Sequence, residues 1–272
     1  MAHREVAGRP IEVVELGEGR PVVFLHGNGP DHRDLLVGID GVFAARPGYR
    51  RLHLDLPGYG RSPADPAIHG SDGMADVVVE LIDALSPDAP VILVGASWGA
   101  YLARGVIARR PDRVAAVAML VPVAIADRAR RDLDPPRRLV APDRPLTGGQ
   151  PGQADEFIEG SPVAGWPQWV HYRDVIAPAL ALADATALER IEAAYTFAED
   201  IDAIGPPIEI PALIVVGRQD TIVGYRDQLR LLERFARSSF AVLDVAGHGL
   251  PADRPAVVAA LVEDWLDRVE LA

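Results

Sequence analysis

The stretch Val91-Ile92-Leu93-Val94-Gly95-Ala96-Ser97-Trp98-Gly99 decides how this chain is read. Residues 91–94 are a continuous apolar run, the pattern of a strand buried on both faces of a parallel sheet. Residues 101–110 look helical, and between strand and helix sits G-x-S-x-G. A serine lifted to the tip of so tight a turn has a strained backbone, and the neighbouring chain comes too close for side chains at the two glycines. The turn also opens a helix, whose free amides and dipole favour an oxyanion beside the serine. Ser97 is therefore the candidate nucleophile.

Outward from this turn, strand-like and helix-like segments alternate. Residues 11–16, 21–26 and 51–56 read as strands, 72–85 as a helix with Met74, Val77, Val78, Leu81, Ile82 and Leu85 at helical spacing, and 114–121 as another buried strand. That rhythm requires crossover connections and a mostly parallel sheet. It breaks near residue 123, where a stretch crowded with Arg, Asp and Pro gives way to Trp166-Pro167-Gln168-Trp169-Val170-His171-Tyr172 and a long helical pattern over 175–197. It resumes with a strand at 212–217, a helix at 225–236, a strand at 240–245 and a closing helix at 255–271. The expected architecture is α/β: about eight strands flanked by helices, with a mainly helical cap inserted after the sixth strand. The core is then 1–123 plus 207–272, and the cap is 124–206.

Composition narrows the chemistry. Hydrophobic residues make up 49 % and charged residues 24 %, an ordinary globular balance. The net charge is −12, with acidic residues spread along the chain, so a nucleic-acid partner, which needs a concentrated basic face, is not expected. There is no cysteine and no lysine, all 27 basic residues being arginine, which excludes thiolate nucleophiles, zinc–thiolate sites, Schiff bases and Ser–Lys dyads. Residues 1–6 lack an apolar stretch of signal-peptide type. The longest apolar run, 114–126, is too short for a bilayer and holds Pro122. A cytoplasmic protein without a membrane partner, monomeric or homodimeric, is expected.

A serine hydroxyl is a weak nucleophile until a base takes its proton. Of seven histidines, His248 stands out: Ala246-Gly247-His248-Gly249 follows a strand and precedes the last helix, and its glycines allow the loop to bring the ring over the sheet edge. His3, His32, His53, His69 and His171 have no comparable setting. The acid that orients the imidazole is best placed at Asp220, in Gly217-Arg218-Gln219-Asp220, directly after a buried strand. Asp127 is the alternative, and Asp244 is less suitable. An oxyanion needs two amides: that of Trp98, after the serine, and one from the glycine-rich His26-Gly27-Asn28-Gly29-Pro30, assigned to Asn28. No cofactor and no metal ion are called for.

The order Ser97, Asp220, His248 and five motifs together resemble the α/β-hydrolase superfamily over nearly the full length. His26-Gly27-Asn28-Gly29 is similar to its oxyanion segment and Asp55-Leu56-Pro57-Gly58-Tyr59-Gly60-Arg61-Ser62 to its D-x-P-G-x-G-x-S loop. Gly95–Gly99 resembles its nucleophile elbow, Gly217–Asp220 its acid loop and Gly247-His248 its histidine loop. Serine rather than aspartate in the elbow argues against dehalogenase or epoxide hydrolase chemistry of the aspartate-nucleophile kind. The resemblance implies hydrolysis of an ester, thioester or lactone of a small to medium apolar substrate through an acyl-enzyme. The elbow is also similar to that of proline iminopeptidases. An aminopeptidase or amidase, with Asp155, Glu156 or Glu159 holding an ammonium, stays open. So do a carbon–carbon bond hydrolase, a cofactor-free haloperoxidase and a non-enzymatic ligand receptor on the same fold. Trp166, Trp169 and Tyr172 are the candidate substrate-binding residues under the cap, and the Arg/Pro-rich stretch 128–144 reads as a mobile surface loop rather than an anion site.

Overall fold

The computed structural model describes residues 4–271. Two short strands, β1 (Arg4–Val6) and β2 (Arg9–Ile11), form a separate antiparallel hairpin turned by Ala7 and Gly8, both at positive φ. The main sheet contains β3 (Val13–Leu16), β4 (Arg20–Leu25), β5 (Tyr49–Leu54), β6 (Val91–Ala96), β7 (Val114–Leu120), β8 (Ala212–Gly217) and β9 (Ser238–Leu243). Its order is β3-β5-β4-β6-β7-β8-β9, and only the β3–β5 pair is antiparallel. The sheet thus has seven strands instead of about eight, and the large insertion follows its fifth strand, not its sixth. The run read as one strand over 11–16 is interrupted at Glu12, whose amide donates to Ser62 Oγ (2.9 Å).

Apolar runs buried on both faces make the centre of the sheet. All six residues of β6 and all six of β8 are buried, and helices cover the two faces. Helix Gly70–Leu85 buries every apolar position expected of it, and helix Pro255–Glu270 buries Val258, Val262, Trp265 and Leu266. The Trp265 indole donates to the Pro211 carbonyl (3.1 Å), so its one polar atom is not stranded. Strand β4 has β5 on one side and β6 on the other, which makes the C-terminal ends of β4 and β6 a topological switch point, the usual crevice for ligands in such sheets.

Two helices expected from periodicity are shorter. Residues 225–236 contain a 3₁₀ turn, Asp227–Arg230, and one α-turn, Leu231–Arg234. The pattern over 175–197 is divided into a π-turn Tyr172–Ile176, a short helix Ala177–Leu180 with Pro178 in its first turn, and a helix Ala185–Ala193. The break comes where the Asp184 amide turns away to Gly58 O and its carboxylate caps the next helix through Ala187 N–H (2.8 Å). The inserted segment also has a small core of its own: Phe157, Ala164 and Trp169. Among the described residues, no helix is long and apolar enough to cross a membrane.

Candidate active site

Ser97 caps helix Trp98–Arg109 with φ 51° and ψ −114°. The two glycines of the turn are sterically required: a Cβ on Gly95 would lie 2.6 Å from Ala100 N, and one on Gly99 would lie 2.0 Å from Leu25 O. The strained serine is held by its own backbone, the N–H donating to Leu120 O (2.9 Å) and the carbonyl accepting from Tyr101 N–H (3.2 Å). Two β-branched residues are also left-handed, Val121 (φ 42°) after β7, which lines a cavity with Ser97, and Val245 (φ 57°) before the histidine loop. Such outliers persist only where the surroundings over-determine them.

Because β4, β6, β8 and β9 run parallel, the loops after them emerge at one edge, and the structure brings Ser97, Asp220 and His248 together there. His248 Nε2 lies 3.0 Å from Ser97 Oγ, and His248 Nδ1 lies 2.8 Å from Asp220 Oδ2. The Asp220 oxygens divide their work. Oδ1 accepts from the Ile222 and Val223 amides (2.8 and 3.0 Å), which fixes the acid loop, while Oδ2 is left for the imidazole. Burial pushes the His248 pKa down, but the charge and hydrogen bond of Asp220 together push it further up, so it stands above the ordinary 6.5. Asp127 instead caps a 3₁₀ turn at Ala129 N–H, and Asp244 accepts from the Gln219 amide. His26, His32 and His53 are engaged elsewhere, with the Leu56 amide, Asp55 and Asp40, and His3 lies outside the described residues.

The Asn28 loop meets the serine directly: a Cβ on Gly27 would sit 3.5 Å from Ser97 Cβ. The Asn28 side chain is clamped, accepting from the Tyr59 hydroxyl and donating to Glu192 in the inserted segment. Its backbone N–H donates to no protein acceptor among the described residues, and the Trp98 amide, first in its helix, has no partner within that helix. The Trp98 ring is buried, with its N–H on Ser71 Oγ (2.9 Å).

A cavity of about 320 Å³ opens on Ser97 and His248, with walls that include Pro30, Val121, Phe157, Ile176 and Leu180. Of the three aromatics expected there, Tyr172 lines it and the other two do not. Trp169 is wholly buried in the insertion's own core, its indole donating to Thr147 O (2.9 Å), and Trp166 stacks under the guanidinium groups of Arg144 and Arg173. A wider recess of about 630 Å³, near Tyr101 and Asp202, borders none of Ser97, Asp220 and His248.

Residue spacing did not point to three polar groups on the cavity wall: Asp34, His171 and Asp253. His171 Nε2 lies 3.5 Å from Asp34 Oδ1. Asp253 accepts from the Gly247 amide (2.8 Å) and so braces the histidine loop from six residues downstream of that glycine, a fold-back with no local signature. Burial pushes its pKa up to about 6 from the ordinary 3.8. A raised carboxyl stabilises the fold below its unfolded pKa, and that contribution is lost as pH rises through the folded value. Asp253→Asn is therefore expected to raise stability by roughly 2 kcal/mol above pH 7 and by little below pH 4. Thermal unfolding at the two pH values checks this, and equal shifts at both would contradict it.

Comparison with known proteins bears on the family and the fold. The model of the alpha/beta hydrolase family matches residues 22–261. The AB hydrolase superfamily protein YisY of Bacillus subtilis is 26 % identical over 249 residues, covering 87 % of this chain and 88 % of that protein. A pimeloyl-[acyl-carrier protein] methyl ester esterase of Chromobacterium violaceum is 39 % identical over 121 residues, a match that spans only 44 % of this chain and 42 % of that one. Among solved structures, an alpha/beta superfamily hydrolase from Oenococcus oeni superposes with a TM-score of 0.89 at 26 % identity, covering 99 % of this chain and 98 % of the other. A thermophilic esterase from Thermogutta terrifontis, 24 % identical with a TM-score of 0.66 and coverage of 95 % and 93 %, shares the fold. With the family's motifs set at one edge of a mostly parallel sheet, the chain belongs to the alpha/beta hydrolase family.

Proposed function

We propose that this chain is a serine hydrolase cleaving an ester, thioester or lactone with a small to medium apolar portion, through an acyl-enzyme on Ser97. The observation that carries the reading is the unbroken line of contacts from Ser97 Oγ through both ring nitrogens of His248 to Asp220. In this mechanism His248 Nε2 takes the Ser97 proton as Oγ attacks the carbonyl carbon. The amides of Trp98 and Asn28 hold the oxyanion, each donor of this kind contributing about 10²–10³-fold. Protonated His248, stabilised by Asp220, hands the proton to the leaving oxygen or sulfur, and the acyl group stays on Ser97. Water then attacks the acyl carbon with His248 again as base, and the carboxylic acid leaves.

Segment 124–206 acts as the cap in this reading, over a core of 1–123 and 207–272. Its residues Phe157, Ile176 and Leu180 supply apolar wall, which supports an apolar substrate portion. The aminopeptidase alternative asked for Asp155, Glu156 or Glu159 at the site, and none of them lines the cavity. Treatment of the folded protein with a fluorophosphonate is the direct test. A stoichiometric adduct on Ser97 is expected, and its absence would overturn the assignment.

A further inference from the structure

A guanidinium taken out of water is normally neutralised by a carboxylate, because an unpaired buried cation is costly. The half-buried Arg131 is an exception. Its Nε donates to Ile125 O (2.8 Å), Nη1 to Ile222 O (2.8 Å) and Nη2 to Ala126 O (3.1 Å). It makes no ion pair with a carboxylate among the described residues. Three of its five N–H donors are engaged, so two remain. Burial pushes its pKa below the ordinary arginine value, and the nearby Arg128 cation adds to that, while Tyr195 and the Asp220 and Glu192 charges oppose it.

This cation stands beside the reaction centre. Arg131 lines a recess of about 470 Å³ that Ser97, His248, Asn28 and Ile222 also border, and the same four residues border the apolar cavity. The two cavities therefore meet at the serine. Tyr195 lines the recess as well, and its hydroxyl has no protein partner among the described residues. Burial holds that phenol well above its usual pKa, so it remains a donor. Arg128, the other cation there, is already paired with Glu192 (2.9 Å). Asp220 and Glu192 reach Arg131 only through space, so its two free N–H donors are left for one negative charge on a ligand. The chain as a whole carries −12 and repels anions at long range, so an anion held here depends on direct contact.

The geometry points to an ester with two unlike limbs: an apolar limb in the cavity walled by Phe157 and Leu180, and a carboxylate-bearing limb in the recess, bound by Arg131 and the Tyr195 hydroxyl. The inference rests on the hydrolase reading of Ser97, and it reverses the expectation that 128–144 holds no anion site.

The test compares charged esters with their own methyl esters, following release of the phenol. One pair puts the charge on the acyl side (mono-p-nitrophenyl glutarate against its methyl ester). The other puts it on the leaving side (4-carboxyphenyl pentanoate against its methyl ester). In at least one pair the charged ester is expected to show kcat/KM about tenfold or more above its neutral partner, the size of a charge-assisted contact. Arg131→Gln should cost that charged ester about tenfold more than the neutral one, and Arg131→Lys should recover part of the difference. The ratio matters because Arg131 also ties down loop carbonyls, and simple loosening of the loop would slow both esters alike. Calorimetry on Ser97→Ala protein gives a readout independent of turnover: monomethyl glutarate should bind more tightly than dimethyl glutarate, and Arg131→Gln should erase the gap. Neutral esters turned over with no charge preference in either pair, and no gap in binding, overturn the carboxylate limb alone. No phenol release with the binding gap intact overturns the hydrolase reading and leaves the anion site standing.

Discussion

Replacing Ser97 by alanine is expected to lower steady turnover of an activated ester by about 10⁶-fold, because nucleophile and base act as one unit and either loss removes nearly the whole covalent route. Ser97 Oγ has His248 as its partner, and alanine introduces no new bulk at the turn. The strained backbone is set by Gly95 and Gly99, which stay, so thermal unfolding should change by no more than about 1 kcal/mol. Kinetics and melting measured on one preparation separate loss of chemistry from loss of fold. A variant that keeps turnover within tenfold of the parent would show that bond cleavage does not pass through this hydroxyl. The same assay separates an enzyme from a ligand receptor, since a receptor gives no multiple turnover that the substitution can abolish.

Asp220→Asn should cost about 10⁴-fold in kcat while leaving the fold in place. The amide retains an oxygen that can serve the Ile222 and Val223 N–H groups, as Oδ1 does now. It then faces Nδ1 with an NH₂ group, which favours a proton on Nε2 and blocks that atom as a base. The pH profile carries a second signature. In the parent, burial lowers the His248 pKa and Asp220 raises it by more, so the acid limb of kcat/KM should lie above 6.5. Without the carboxylate the downward effect of burial, the largest influence, is joined by the Arg131 charge and opposed only by that of Asp34, and the limb of the residual activity should move below 6.5. An unmoved limb would mean that another group sets the imidazole. By the same sign, the ion pair contributes most to stability below the unfolded histidine pKa, and that contribution fades as pH rises through the folded value.

The site could be read from sequence wherever short-range sterics dictate it. Gly95 and Gly99 are glycine because a methyl would strike Ala100 N or Leu25 O, and a steric demand of that kind leaves its mark at fixed spacing. Asp220 and His248 could be found because each follows a strand of the sheet, and parallel strands deliver their following loops to one edge. Features that depend on long-range packing left no such mark. Trp166 and Trp169 share a motif with Tyr172, yet only Tyr172 turns toward the serine, a choice made by the insertion's own core. Arg131 sits in an Arg/Pro-rich stretch that looks solvated, and only the folded chain shows its guanidinium drawn inward onto Ile125, Ala126 and Ile222. The left-handed Val121 and Val245 oppose the ordinary preference of valine, so no propensity argument reaches them.

The insertion leaves the sheet after β7 and rejoins it at β8, and these two strands are hydrogen-bonded neighbours. Its two stems are therefore pinned side by side by the sheet itself, whatever lies between them. Lengthening such an excursion is cheap, about 0.6 kcal/mol for each doubling of a flexible loop. Natural variation can thus exchange the inserted segment wholesale, and with it the Phe157, Ile176 and Leu180 wall of the cavity at Ser97, while the strands on either side keep their register.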